Sequence, residues 1–386
     1  MSRLEELIKA LCPDGVEYVK LKDCTEMKRG TSATKSTLSE GQIPVVSGGK
    51  EPAFYCNVSN RNGETLTVAG SGAGAGYVQY WNEPIFVNDA FSIKGIETLS
   101  TRYVYHNLLN MQTEIYATKK GSGVPHVHIS SIENFLIPFP PLPVQEEIVR
   151  ILDNFTELTA ELTAELTARK KQFEYYRDSV FESNILANTN FSPLSAIADV
   201  RDGTHDSPKP TTEGKFLITS KNVKNGTVNF ENAYLISLQD FNSINQRSKV
   251  DLWDLLFTMI GTVGEIGLIE NEPDFAIKNV GLIKTGDEII SRFLKYYLTT
   301  SKVKKYVENN RSKGSQVFLA LGKLRNLPIP VLEKATMEHI VDILDHFDTL
   351  CNDISKGLPA EIEARQKQYE YYRDKLLTFK NIDAEE

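Results

Sequence analysis

An internal duplication limits this chain more than any other feature. Ile148-Val-Arg-Ile-Leu-Asp-Asn-Phe155 returns as Ile340-Val-Asp-Ile-Leu-Asp-His-Phe347, with six of eight positions identical. Arg169-Lys-Lys-Gln-Phe-Glu-Tyr-Tyr-Arg-Asp178 returns as Arg365-Gln-Lys-Gln-Tyr-Glu-Tyr-Tyr-Arg-Asp374, with eight of ten identical. Chance does not produce this. The 386 residues therefore hold two copies of one unit with a period near 192, and the fold must be a pseudo-twofold duplication.

The repeated segment reads as helix. It follows Pro140-Pro141-Leu142-Pro143, which can neither extend a strand nor sit inside a helix. From Val144 to Phe181 no Pro or Gly interrupts it, so a helix of about 38 residues and roughly 57 Å is expected. That is a spacer or coiled-coil length. Thr159-Ala-Glu-Leu162 is repeated as Thr163-Ala-Glu-Leu166, and Leu158, Leu162 and Leu166 stand four apart. Leu350, Ile354, Leu358 and Ile362 form the matching ladder in the second copy. Each ladder needs an apolar partner, and the other copy is expected to supply it. One tyrosine of each adjacent pair, Tyr175/Tyr176 and Tyr371/Tyr372, should pack between helices, because neighbours on a helix point about 100° apart. Gly357-Leu358-Pro359 should break the second helix and restart it with the proline in the first turn.

The larger blocks also correspond. Leu21 to Thr31 matches Leu194 to Thr204 in pattern, and Ile132 to Pro138 matches Leu324 to Pro330. The stretches between diverge. Both are rich in short β-like runs (65–69, 77–81, 86–87; 255–260, 275–280) with Gly/Asn turns, and both end in helical stretches, 101–116 and 291–309. Each block reads as an α+β unit.

The net charge of −8 argues at first against a nucleic-acid partner. The acid is concentrated, however, in 143–190 (5 basic, 9 acidic) and 334–386 (7 basic, 12 acidic). Residues 1–142 and 191–333 are near neutral, and Arg292 to Arg325 holds nine basic residues against Glu308 alone. A field of that sign attracts phosphate. No apolar run is long enough to span a membrane and the start of the chain lacks a signal-peptide core. The four cysteines (Cys12, Cys24, Cys56, Cys351) show no ligand or disulfide spacing, which suits a reducing cytoplasm.

With these motifs in view, the chain resembles the specificity subunit of type I restriction-modification systems. The resemblance rests on Cys12-Pro-Asp-Gly-Val-Glu-Tyr18, Pro140-Pro-Leu-Pro-Val-Gln-Glu-Glu-Ile148, the Thr-Ala-Glu-Leu repeats and Gln-X-Glu-Tyr-Tyr-Arg-Asp twice. The second helix departs from the pattern, being reached through Pro330-Val-Leu-Glu-Lys-Ala-Thr-Met-Glu-His-Ile340. The resemblance implies two α+β target-recognition domains (1–142 with an N-terminal helix, and 191–333). They would be separated by long antiparallel coiled-coil helices (143–190 and 334–386). It implies double-stranded DNA as ligand, each domain reading half of a split site. The helices would dock two methyltransferase subunits, and restriction subunits would join that core. No cofactor is expected in this chain: S-adenosylmethionine, ATP and Mg²⁺ would belong to the partners.

The residues support a non-catalytic reader. A stand-alone adenine methyltransferase would need an Asn/Asp-Pro-Pro-aromatic motif, and Pro138-Phe-Pro-Pro141 has no amide or carboxylate. A bare coiled-coil scaffold would not need the basic stretch. Gly70-Ser-Gly-Ala-Gly-Ala-Gly76 precedes a strand-like run, so it reads as a hairpin or bulge, with Gly261 to Gly267 as its counterpart. The DNA-contact candidates lie in two corresponding loops: Lys119, Lys120, Ser122, His126 and His128 in one, Arg311, Lys313, Ser315 and Gln316 in the other. They combine cations for phosphates with polar groups for base edges. His126 and His128 would need further ligands to bind a metal, and no metal or catalytic site is expected.

Overall fold

The computed structural model of the chain describes residues 2–121, 123–182, 189–314, 316–352 and 357–382. It divides into two compact units, residues 1–163 with 361–386, and residues 164–360.

In the first unit, Ser2 caps α1 (Arg3–Leu11) in a reciprocal bond with Glu5. β1 (Tyr18–Lys20) is followed by α2 (Leu21–Cys24), β2 (Thr25–Arg29), β3 (Ile43–Val46), β4 (Phe54–Cys56), β5 (Thr65–Ala69), β6 (Val78–Trp81), β7 (Phe86–Val87) and β8 (Ala90–Gly95). The larger sheet runs β2-β8-β5-β6, all antiparallel; the smaller runs β4-β3-β7, with β3 and β7 parallel. All five residues of β5 are buried, so it is a central strand covered on both faces. Helices α3 (Thr101–Asn110), α4 (Gln112–Ala117) and α5 (Ile129–Ile132) follow, then β9 (Leu136–Pro138), which pairs with β1 and ties the domain's exit to its start. The helical stretch expected over 101–116 is present as two helices that meet at Met111. The segment around Val16 is also bonded to the C-terminal segment: Val16 donates to Lys380 O (2.9 Å) and Ile382 donates to Val16 O (3.2 Å). Gly15 permits this at φ +120°, since a Cβ there would lie 2.2 Å from Lys380 O.

α6 (Leu142–Glu182) is one helix of 41 residues. Val144, Ile148 and Leu152 are completely buried in the core of the first unit with Leu66, Ile93, Tyr103 and Leu108. Each contributes about 1.5–3 kcal/mol by burial, enough to fasten this part of the helix to its own domain.

The second unit repeats the plan. β10 (Phe191–Pro193), β11 (Asp199–Asp202), β12 (Lys215–Ile218), β13 (Val223–Lys224), β14 (Thr227–Val228) and β15 (Tyr234–Ile236) lead into α7 (Leu238–Ser248). β16 (Leu255–Thr258), β17 (Ile266–Leu268), β18 (Phe275–Ile277) and β19 (Val280–Lys284) follow, then α8 (Glu288–Leu298), α9 (Ser301–Asn310), α10 (Leu321–Arg325) and β20 (Pro328–Pro330). The sheets run β11-β19-β16-β17 and β15-β12-β18, and β10 pairs with β20. The run expected over 275–280 is split between the two sheets by Asn279, whose φ of 55° turns the chain. The core joins Phe257, Phe293 and Tyr297 to Phe173 and Phe181 of α6 and to Ile340, Val341 and Leu344 of α11 (Lys334–Asn352). Gly357, at φ +81°, precedes α12 (Leu358–Leu376), with Pro359 in its first turn as expected.

The helix ladders need correction. From Thr156 to Gln172 no side chain is buried, and the half-buried positions are Thr159, Leu162 and Leu166. Leu158 is exposed, as is Leu350. Steps of four residues drift by about 40° each, whereas alternating steps of four and three, as at Phe155, Thr159, Leu162 and Leu166, hold one facing. Leu358 and Ile362 are half-buried; Ile354 lies outside the described residues. The aromatic positions follow expectation more closely. In the first unit Tyr372 stacks on Phe155, with centroids 5.4 Å apart. In the second Tyr176 stacks on Phe347 at 5.8 Å. Tyr175 and Tyr371 are exposed at 70% and 61%; Tyr372 is half-buried as expected, but Tyr176, though stacked, is still 44% exposed. Phe155 and Phe347 are repeat equivalents, as are Tyr176 and Tyr372, so each stack joins a phenylalanine of one copy to a tyrosine of the other.

Candidate nucleic-acid interface

Each unit holds a glycine-rich turn against a hairpin by the same pair of backbone bonds. In the first, Gly72 N–H donates to Pro125 O and Val127 N–H to Gly70 O, both at 3.0 Å. In the second, Gly261 N–H donates to Val317 O (3.0 Å) and Leu319 N–H to Met259 O (2.8 Å). The turns link β5 to β6 and β16 to β17, so the hairpin reading of both glycine runs holds. Glycine is required: Gly72 and Gly76 lie at φ +80° and +84°, and a Cβ on Gly74 would lie 2.3 Å from Gly48 O. In the first hairpin Lys120 and His126 exchange both backbone bonds, at 3.0 and 2.8 Å. In the second Ser312 N–H donates to Phe318 O (2.8 Å), and Phe318 N–H donates to Ser312 Oγ (2.9 Å).

Beside each turn runs a second repeated device, the Gly-Thr pair that ends β2 and β11. Gly30 N–H donates to Ala90 O and Thr31 N–H to Val87 O, both 2.9 Å; Gly203 N–H donates to Val280 O (2.9 Å) and Thr204 N–H to Ile277 O (3.0 Å). A Cβ at Gly30 would stand 2.0 Å from Asn88 O, and one at Gly203 would stand 2.5 Å from Ile277 O. In the first unit the result is a cleft of about 420 Å³ whose lining includes Arg29, Ser32, Asn88, Asp89, His126 and His128. In the second, His205 lies between Asn279 Oδ1 (2.8 Å) and Asp202 Oδ2 (3.0 Å), and Arg247 also binds Asp202. The sequence pattern contained the Gly-Thr pairs, but nothing in it marked the residues they bring together.

The candidate residues fall as follows. Lys120 is exposed, while the Lys119 ammonium sits over the Tyr116 ring at 4.2 Å. His126 and His128 are stacked 6.0 Å apart with planes 6° from parallel, and both line the cleft. No metal-binding group is found among the described residues. Lys313 and Gln316 are exposed, and Arg311 bonds Glu308 at 2.6 Å. Ser122 and Ser315 lie outside the described residues.

The basic stretch from Arg292 to Arg325 is not the open field that its composition suggested. Arg292 binds Glu288 and Asp345 (both 2.9 Å), and Lys295 binds Asp348 at 2.8 Å. Arg325 donates to Val200 O at 2.8 Å. Linear charge counting misses partners supplied by a helix some 50 residues away in sequence.

Those partners form a joint between domain and helix, again built twice. In the first unit the Arg102 guanidinium meets Asp153 of α6 at 2.9 Å, stacks 4.2 Å over Tyr80, and His106 Nε2 lies 2.9 Å from the same carboxylate. In the second, Arg292 meets Asp345 of α11 and stacks 5.1 Å from the Trp253 ring centroid, while the Tyr296 hydroxyl donates to Asp345. Asp153 and Asp345 are the repeated aspartates of the Ile-Leu-Asp motif. Burial works to raise the Asp153 carboxyl, but the bonds from His106 and Arg102 outweigh it and hold it below the ordinary range. Burial lowers the pKa of His106 despite that partner.

Residues 13–172 and 167–364 match the family model described as the type I restriction modification DNA specificity domain. A protein of Haemophilus influenzae, named as a type I restriction enzyme specificity subunit, is 30% identical over 89% of this chain and 90% of its own length. The EcoR124I/EcoR124II specificity subunit of Escherichia coli is 32% identical over 65% of each chain. The crystal structure of a type I restriction-modification S subunit from M. genitalium shares the fold. Its TM-score is 0.58 at 16% identity, over 95% of this chain and 97% of that one.

Proposed function

Because this chain belongs to the type I restriction-modification specificity family, and so is the non-catalytic subunit that recognises DNA sequence, we propose that each unit reads one half of a split site in double-stranded DNA. The carrying observation is the doubled interface: a glycine turn, a hairpin and a Gly-Thr pair joined by equivalent backbone bonds in both units. Backbone brought close by glycine, beside cations and polar side chains, suits phosphates and base edges together. The long helices dock two methyltransferase subunits, and restriction subunits join through them. S-adenosylmethionine, ATP and Mg²⁺ are handled by those partners, in the cytoplasm. No described helix is long and apolar enough to cross a membrane.

The helices also set the distance between half-sites. Thr159 and Thr163 donate their hydroxyls to Phe155 O (2.8 Å) and Thr159 O (2.7 Å), so the Thr-Ala-Glu-Leu unit is self-satisfied within the helix. Inserting one such unit after Leu166 adds about 6 Å and about 400° of rotation, a turn plus 40°. Base pairs rise about 3.4 Å, so the unspecified spacer should grow by one or two base pairs while both half-sites persist. Mapping methylated adenines in cells carrying the insertion tests this. Altered half-sites, or an unchanged spacer at full activity, would refute the ruler.

A further inference from the structure

Three matched backbone bonds put Asp89 and Asn279 at the same place in the two units. Gly30 and Gly203 bond the residue after each (Ala90, Val280); Thr31 and Thr204 bond the residue two before (Val87, Ile277). The residue immediately before each, Asn88 and Lys278, donates to Val46 O (2.8 Å) and Ile218 O (2.9 Å). The neighbours are committed to the scaffold. Asn88 accepts from Ala33 N–H (2.9 Å) and donates to Ser47 Oγ (3.1 Å). Asp89 is exposed and lines the cleft beside Arg29, His126 and His128; one carboxylate oxygen, Oδ2, accepts from Ser71 of the glycine turn. Asn279 holds a left-handed backbone at φ 55° and directs Oδ1 to His205.

An acid in a cleft that approaches DNA weakens phosphate binding to every sequence alike. One oxygen, Oδ2, holds Ser71; the other offsets that repulsion where it accepts from a base amino group, and the exposed amino group that a carboxylate reads in the major groove is cytosine N4. An amide at the equivalent place both donates and accepts, which matches adenine N6 and N7. We propose that Asp89 and Asn279 are equivalent specificity-determining residues, Asp89 reading a cytosine in one half-site and Asn279 an adenine in the other. This rests on the reading of the units as separate half-site readers.

The test uses the methyltransferase complex assembled with the full chain, methylation mapping, and binding to duplexes substituted at each position of the site. Asp89→Ala should relax one position of one half-site, lowering discrimination there by about 10- to 100-fold, with the other half intact. Asn279→Ala should do the same in the opposite half. Asp89→Asn, which keeps an acceptor for Ser71, should move preference at that position from C·G toward A·T, and it carries the test if the alanine variant does not assemble. An unchanged motif with tighter binding to every duplex would overturn the proposal, leaving Asp89 a repelling surface acid, while half-site reading stands. Variants at both residues that alter the same half would instead overturn the half-site reading itself.

Discussion

The two domain–helix joints place an arginine and an aspartate alike and then diverge. Arg102 meets Asp153 with His106 as third member, whereas Arg292 meets Asp345, Glu288 and, at 3.7 Å, Glu270, with Tyr296 as third member. The first joint is a triad around one carboxylate. The second is a network in which Tyr296 also reaches Asp348 at 3.3 Å. Register between domain and helix therefore depends on the Arg–Asp pair, and the surrounding groups decide how easily that pair can be lost and whether acid can loosen it.

Removing the carboxylate is the severest way to break the likeness. Asp153→Ala leaves Arg102 and the buried His106 facing no acid. Its side chain is 35% exposed, which moderates the cost to about 2 kcal/mol in the first unit. Asp345→Ala should cost about 1 kcal/mol, because Arg292 keeps Glu288 and Tyr296 keeps Asp348. Hydrogen exchange resolved by unit would measure both. Equal losses would mean that the second network offers no reserve.

Charge removal at the hairpins sharpens the comparison at the other end of each domain. Replacing Lys119 and Lys120 by alanine should lower the log–log salt slope of DNA binding by about 0.9 for each phosphate no longer neutralised. The Arg311 and Lys313 double variant should lower it less, since Arg311 is already engaged by Glu308. A salt series on the assembled methyltransferase decides it, and identical slopes in all three proteins would reduce both hairpins to solvated turns.

Acid gives the smallest effect. Burial makes His106 bind its proton less readily folded than unfolded, so the unfolded state takes up more protons as pH falls. The first unit should lose stability as pH drops from the ordinary histidine value of 6.5 toward the folded one, and lose no more from this group below it. Asp153, held below its ordinary 3.8, keeps stabilising the joint through that window. Tyr296, pushed up by burial and by Asp348 and Asp345, stays protonated. A His106→Gln variant should abolish the loss that sets in as pH falls through 6.5. If the wild type shows no loss specific to the first unit, the two joints do not differ in this respect.

Much of the architecture was legible because duplication writes it twice: the helices, the paired glycine turns and hairpins. The break at Gly357-Leu358-Pro359, confined to the second copy, was legible from its own glycine and proline. What escaped depended on distant partners. Arg102 and Arg292 sit in Thr-Arg-Tyr and Ser-Arg-Phe, a repeated signal open to notice, but their acids lie on helices some 50 residues later. Asp89 and Asn279 gave no signal, since the duplication preserves their backbone and not their chemistry. The leucine ladder misled because a spacing of four looks regular in print and drifts around a cylinder.

The bond between Val16 and Lys380 has a topological consequence. The first unit is thus assembled from the two far ends of the chain, bonded to each other at Val16, Lys380 and Ile382, and neither end has an intrinsic claim to come first. A permuted gene, joining the segment after Ile382 to the one before Val16 and opening the chain after Glu182, would reverse the order of the domains in translation. Every joint, turn and cleft described above would keep its partners.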